Sequence, residues 1–282
     1  MSKKILFMGT PDYATEIFKE LLNSKYEIIG LFTQPDKPVG RKQILTPPSI
    51  KQYCIDENIN IPVFQPQKLR NNEEVTKQIK ELNPDFIIVA AYGQILPKDI
   101  LDIAPCINLH ASLLPKYRGA SPIQESLLNN DIYTGVTSML MEEGLDSGDI
   151  LGLQYLKITA TMEVSAAFDK LSQIAAKLTI ATLDNFENIR PIKQNESEVS
   201  FCKKIKKEDG LVDFFDAKKL YLKYKAYSYW PGIFLESELK LKDIELNDEK
   251  SINNQGQILE INSDFIIVGC EKGSLKIKTL QA

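Results

Sequence analysis

The chain has 282 residues, 43% of them apolar and 26% charged, a balance that excludes a disordered or fibrous protein and leaves room for two cores. A net charge of −4 argues against indiscriminate coating of nucleic acid, and no apolar run approaches the ~20 residues of a membrane-spanning helix. The four cysteines, Cys54, Cys106, Cys202 and Cys270, stand far apart with no CxxC pair, which suggests buried reduced thiols, with neither a zinc site nor a disulfide framework.

The start passes from Ser2-Lys3-Lys4 straight into an apolar run with no cleavable signal pattern, so a cytoplasmic protein is expected. Apolar runs at 4–8, 26–32, 85–91 and 106–109 alternate with helix-like segments at 13–22, 49–57 and 72–82. The runs are continuously apolar, as strands covered on both faces must be. The pattern therefore predicts an α/β, Rossmann-like, mostly parallel sheet with crossover helices. Ligands of such sheets bind beyond the carboxyl ends of the strands, where Gly9, Tyr92-Gly93 and His110 all fall. Gly9-Thr10-Pro11 takes the place of a dinucleotide fingerprint but supplies one glycine where three are needed, which speaks against a nicotinamide cofactor. It reads equally well as a strand-to-helix turn with proline at the helix start. The basic segment 36–43, holding Lys37, Arg41 and Lys42 among Gly and Pro, reads as an exposed loop between a strand and a helix.

His110 is the sole histidine and ends the run Cys106-Ile107-Asn108-Leu109-His110. Asn108 and His110 are two apart, so on a strand they share a face, an amide donor beside a side chain that titrates near neutrality. That pair could bind a developing oxyanion; a satisfied polar residue at a strand end is the plainer alternative. Further on, Glu143-Gly144-Leu145-Asp146-Ser147-Gly148-Asp149 is an acidic turn between the strand-like 135–141 and the apolar 150–156. Asp146 there either caps its own turn or faces His110. A strand at 149–158 and a long helix at 164–186 complete the first domain, and the polar stretch 188–200, with Pro191, fits a linker. Beyond it a helix at 217–227 precedes short strands at 233–235, 239–246, 257–261, 265–268 and 274–279, which predicts a small, OB-like β-barrel. Charge is uneven: residues 1–200 hold 20 basic and 25 acidic side chains, residues 201–282 hold 14 and 13. Lys203, Lys204, Lys206, Lys207, Lys218, Lys219, Lys223 and Lys225 make 203–225 locally basic, suited either to a polyanion or to a solvated helix face.

Asn108-x-His110 followed by Ser112-Leu113-Leu114-Pro115-Lys116-Tyr117-Arg118-Gly119, then Leu145-Asp146-x-Gly148, resembles the signature of the folate-dependent formyltransferases. The blocks 9–14, 32–38, 89–97, 118–124 and Tyr229-Trp230-Pro231-Gly232 are similar to the members of that family that act on methionyl-tRNA, densely from residue 5 to about 155. The resemblance implies a catalytic domain at 1–187, a linker at 188–204 and a tRNA-binding β-barrel at 205–282. It implies formyl transfer from 10-formyltetrahydrofolate to the amino group of initiator methionyl-tRNA by a catalytic trio of Asn108, His110 and Asp146, without a metal or a covalent enzyme intermediate. It assigns folate to Tyr92, Gly93, Gln94, Ile95, Leu96, Ser112, Leu113, Leu114 and Pro115. For tRNA it suggests Arg41 and Lys42, in a loop with fewer charges than many relatives carry, and Lys203, Lys204, Lys206 and Lys207 in the basic stretch. A monomer free of any membrane is expected. Two alternatives share the scaffold: a formyltransferase acting on a nucleotide-linked amino sugar, and a tRNA-binding protein without catalysis.

Overall fold

The computed structural model describes residues 2–40 and 42–281, so Arg41 lies outside the described residues. In chain order the elements are β1 (Lys4–Gly9), α1 (Asp12–Leu22), β2 (Glu27–Phe32), β3 (Lys37–Val39), β4 (Ile44–Thr46), α2 (Ser49–Asp56), β5 (Val63–Phe64), α3 (Glu73–Leu82), β6 (Phe86–Ala90), α4 (Lys98–Leu101), β7 (Cys106–His110), β8 (Arg118–Gly119), α5 (Pro122–Leu128), β9 (Tyr133–Leu140), β10 (Ile150–Lys157) and α6 (Val164–Asn185). They continue as β11 (Phe201–Cys202), α7 (Ala217–Tyr227), β12 (Ile233–Phe234), β13 (Lys240–Ile252), β14 (Ile258–Ile261), β15 (Ile266–Gly269) and β16 (Lys272–Gln281). Two compact units result. One comprises Met1–Arg118, Gly135–Leu156 and Asp169–Phe201; the other comprises Gly119–Thr134, Lys157–Phe168 and Cys202–Ala282.

The first unit is built on a seven-stranded sheet of order β10-β9-β7-β6-β1-β2-β5. The continuously apolar runs are its buried strands: all of β6 and β7 and five of six residues of β1 are buried. β1 runs parallel to β2 and β6, β6 is parallel to β7, and β9 returns antiparallel beside β7. The sheet is thus mostly parallel, with helices crossing between its parallel strands. α1 turns Ala14, Ile17, Phe18 and Leu21 inward at helical spacing. It approaches closely because Gly9 has no side chain: a Cβ there would stand 2.6 Å from that of Ala14. Leu6, Met8, Phe32, Val75, Ile79, Ile87, Val89 and Ile100 form one continuous cluster. The basic loop is more regular than expected, because β3 and β4 pair as a short antiparallel hairpin that leaves Val39, Ile44 and Leu45 exposed.

The second unit carries a five-stranded sheet of order β12-β13-β16-β15-β14, in which neighbouring strands run antiparallel. Leu241 and Ile244 of β13 and Leu275 and Ile277 of β16 are buried, and α7 adds Ala217, Leu220, Ala226 and Tyr227 to that core. β13 runs six residues past its expected end. It does so across two register shifts, where Asp248 accepts the amides of Lys250 and Ser251. The lysine-rich stretch is not the uniform charged face that its composition suggests. Lys225 is buried and donates to the Ala160 carbonyl (3.2 Å), Lys223 donates to the Leu211 carbonyl (2.7 Å), and Lys218 pairs with Glu249 (3.1 Å). Burial holds the Lys223 and Lys225 ammonium groups below the usual lysine range. Their stems pack as part of α7, so only part of the stretch presents charge to solvent.

Candidate active site

The carboxyl edge of the parallel strands gathers loops that bind one another through a single carbonyl. Gly9 pairs in register with Ala90, and beyond them the Tyr92 carbonyl accepts from Thr10 Oγ1 (3.1 Å) and Gln34 Nε2 (3.0 Å). Ala91 (φ 45°) and Gly93 (φ 82°) take left-handed backbone on either side, which turns the chain sharply at the strand end. From α1, the Tyr13 hydroxyl reaches the Leu109 carbonyl at 3.1 Å, one residue before His110. The sheet thereby fixes where β7 ends.

Asn108 and His110 lie on β7 with exposures of 8% and 6%, buried between the neighbouring strands: Asn108 pairs with Val89 on one side and Met139 on the other. The reversed direction of β9 delivers the acidic turn to the end at which β7 finishes. Leu140 N donates to the Asp149 carbonyl (2.9 Å), and Gly148 is forced because a Cβ there would overlap the Leu140 carbonyl. Asp146 adopts a left-handed φ of 48° in this turn. Its carboxylate lies 3.7 Å from His110 Nδ1 and 3.4 Å from Asn108 Nδ2. The three sequence-predicted residues therefore meet. The Asn108 bond to Asp146 is long and uses one of its two amide hydrogens, and the His110–Asp146 pair is at ion-pair distance, so both side chains can turn toward a reacting atom placed among them.

The other ring nitrogen settles the tautomer. His110 Nε2 is 2.9 Å from the Tyr117 carbonyl. A carbonyl oxygen only accepts, so Nε2 carries a hydrogen, and Nδ1 is the ring nitrogen turned toward Asp146. Tyr117 is itself held with φ at 60°, its amide donating to Ser200 Oγ (2.9 Å), while the Arg118 amide donates to the Ser200 carbonyl (2.9 Å).

The polar stretch read as a linker is what closes this network. Ile192 exchanges both backbone hydrogen bonds with Ile150 (2.8 and 2.9 Å). Gln194, 8% exposed, donates from Nε2 to the carbonyls of Asp146 and Gly148, each at 2.8 Å. Its Oε1 accepts from Nε (3.0 Å) and Nη2 (2.9 Å) of Arg118, which is 4% exposed and pairs outward with Glu196 at 2.7 Å. Sequence reasoning does not select Tyr117, Arg118, Gln194 or Ser200 as site residues. Arg118 carries a signal, an always-charged side chain between a strand end and a helix; Gln194 carries none.

The expected folate segments line the same edge in a mixed state. Gly93 is exposed and Ile95 is 73% exposed, whereas Tyr92 and Leu96 are buried, and the Gln94 side chain is committed to Leu69 N (3.0 Å) and the Pro66 carbonyl (3.1 Å). Ser112 donates to the Lys116 carbonyl (2.6 Å), Leu113 and Pro115 are half-buried, and Leu114 is buried with its amide on Thr137 Oγ1 (3.0 Å). Among the described residues the hydroxyls of Thr33 and Tyr92 are buried without a hydrogen-bond partner. No group of three or more His, Cys, Asp or Glu in those residues could hold a metal ion, and no helix is long and apolar enough to cross a membrane. Lys42, Lys203, Lys204, Lys206 and Lys207 are exposed, with Lys206 3.5 Å from Glu208.

Residues 3–183 match the model of the formyl transferase family, and residues 204–282 match that of the formyl transferase C-terminal domain. The chain is 57% identical over 278 residues to a methionyl-tRNA formyltransferase of Nitratiruptor sp., covering 99% of this chain and 91% of that one. It is 56% identical over 279 residues to the methionyl-tRNA formyltransferase of Campylobacter lari, with the same coverage. Among solved structures, an N-formyltransferase from Helicobacter canadensis, in complex with folinic acid and dTDP-3-aminofucose, superposes over 100% of both chains with a TM-score of 0.73 at 16% identity. That likeness speaks for the fold alone.

Proposed function

The chain belongs to the formyl transferase family and, within it, to the methionyl-tRNA formyltransferases, and from that premise we propose that it moves the formyl group of 10-formyltetrahydrofolate onto the free amino group of initiator methionyl-tRNA. The observation that carries the chemistry is the meeting of Asn108, His110 and Asp146 at the carboxyl end of β7. In the reaction a bond forms between the amine nitrogen and the formyl carbon, the bond from that carbon to N10 of the folate breaks, and one proton passes from the amine to N10. The formyl oxygen becomes an oxyanion in the tetrahedral adduct. Asn108 donates its amide hydrogen to that oxygen. His110 adds the charge of its protonated ring beside it, and Asp146 orients the ring and receives the amine's proton, directly or through water.

The edge suits a flat heteroaromatic ring. It combines an exposed apolar Ile95 with the sharply turned backbone around Ala91 and Gly93. The residues proposed to hold the folate are Tyr92, Gly93, Ile95 and Leu96 on one side and Ser112 to Pro115 on the other; Gln94 contributes by bracing its loop. The acceptor end of tRNA is assigned to Lys42 with Arg41, and the sugar-phosphate backbone to Lys203, Lys204, Lys206 and Lys207, whose exposure leaves them open to phosphates. Residues 1–187 carry the reacting groups, 188–204 connect them to a tRNA-binding domain at 205–282 while bracing the site through Gln194 and Ser200, and the protein works as a cytoplasmic monomer.

The test supplies 10-formyltetrahydrofolate with charged initiator tRNA, charged elongator tRNA, or a nucleotide-linked amino sugar. Formylation of the initiator alone is expected. Formylation of the sugar in preference to the tRNA would overturn the reading, and binding of tRNA without turnover of folate would reduce the protein to a tRNA-binding scaffold.

A further inference from the structure

We propose that Gln194 is a positioning residue for formyl transfer, holding the Asp146 turn against His110 from a segment outside the strands that carry the trio. This rests on the roles given above to His110 and Asp146. Asp146 sits in left-handed backbone, uncommon for a residue with a side chain although aspartate tolerates it better than most, so the turn gains from hydrogen bonds that hold it from outside. Gln194 supplies them. The two hydrogens of one carboxamide reach two carbonyls of the same turn, Asp146 and Gly148, at 2.8 Å each, and both lone pairs of the same carboxamide are taken by the buried Arg118 guanidinium at 2.9 and 3.0 Å. All four hydrogen-bonding capacities of Gln194 are used. Arg118 is anchored in turn, since its amide shares Ser200 with Tyr117, the residue whose carbonyl fixes the His110 ring. One short segment, 194–200, thus braces both partners of the His110–Asp146 pair: Gln194 from the aspartate side, Ser200 from the histidine side.

The chemistry gives the geometry its consequence. At 3.7 Å the carboxylate and Nδ1 are poised rather than bonded, and a displacement of about 1 Å at such a pair costs on the order of a hundredfold in rate. Gln194→Glu isolates the effect. The carboxylate keeps the shape and still accepts from Arg118, but it sets an oxygen against two carbonyl oxygens and so expels the turn.

The experiment measures kcat and both KM values per folate-binding site for wild type, Gln194→Glu, Asp146→Asn and the double variant, with the single imidazole followed by ¹⁵N NMR in untagged protein. In Gln194→Glu, kcat falls about 10- to 100-fold with both KM values within about twofold. The Nδ1 resonance moves toward its place in Asp146→Asn, and the double variant loses no more than Asp146→Asn alone, because Gln194 acts through Asp146. Should Gln194→Glu not bind folate, Gln194→Met, of similar shape and uncharged, takes its place. Wild-type kcat, an unmoved Nδ1 signal, or an equal further loss in the Asp146→Asn background overturns the proposal. If Asp146→Asn itself is fully active, the roles assigned to the trio fail instead, and the two failures are told apart.

Discussion

His110→Gln separates the hydrogen bond that the imidazole makes to the Tyr117 carbonyl from the catalytic role proposed for it. A glutamine amide nitrogen overlays Nε2, so the hydrogen bond to the Tyr117 carbonyl, 2.9 Å in the native protein, survives, while nothing remains at the position of Nδ1 facing Asp146. General acid–base and charge assistance of this kind is worth about 10²–10⁴ in rate, or ~2.7–5.4 kcal/mol of barrier at 1.36 kcal/mol per decade. The expected kcat on charged initiator tRNA falls by that factor, the limb of the pH–rate profile owed to the imidazole disappears, and folate binding and unfolding free energy stay near native. His110→Asn is the counterpart. Its amide overlays Nδ1 but abandons the Tyr117 carbonyl in a site 6% exposed, which costs about 1–3 kcal/mol of stability in a denaturant titration. A His110→Gln enzyme within tenfold of native kcat would refute the mechanism. Equal loss of stability in both variants would refute the tautomer.

Asn108→Asp exchanges an amide donor for a second carboxylate 3.4 Å from Asp146, so kcat should fall by about 10²–10³ with folate binding retained in equilibrium titration; a smaller loss would place the oxyanion elsewhere. Burial pushes the thiols of Cys106 and Cys270 up to about 12 and that of Cys54 up to about 11. At pH 8 they are protonated, because a raised thiol value leaves thiolate scarce at any pH well below it, and a thiol reagent should modify them only after unfolding. Neutralising Lys203, Lys204, Lys206 and Lys207 together should flatten the dependence of log tRNA affinity on log salt by up to about 0.9 for each phosphate that no longer meets a lysine; an unchanged slope would remove these lysines from the tRNA surface.

What the sequence disclosed follows from which interactions have a period. The central strands are buried on both faces, so their apolar runs mark them with little shift, and the Asn108–His110 spacing alone places both on one face of β7. The approach of Asp146 is of another kind. It depends on β9 returning antiparallel beside β7, with His110 opposite Thr137, and on a left-handed residue in the turn that follows; neither leaves a periodic trace, although Gly144 and Gly148 signal a tight turn. The lysines of α7 escape composition for the same reason, since the burial of Lys225 is decided by a carbonyl 65 residues away in sequence.

The polar stretch beyond α6 marks the limit of reading by composition. Most of its side chains are exposed, as in a solvated tether, and its one buried side chain between 190 and 198 is the amide of Gln194. It is held by hydrogen bonds instead: Ile192 to Ile150, Gln194 to the Asp146 turn and Arg118, and Ser200 to Pro115, Tyr117 and Arg118. Each such bond is worth only about 0.5–1.5 kcal/mol net, but leaving a buried guanidinium or carbonyl without its partner costs more than making the bond gains. A segment docked in this way fits the backbone it covers with little tolerance, and it contributes far less hydrophobic burial than a helix of the same length. A chain that places a polar connection against a left-handed turn gains geometry at the Asp146 carboxylate, and the site can therefore depend on residues that no pattern of apolar spacing would select.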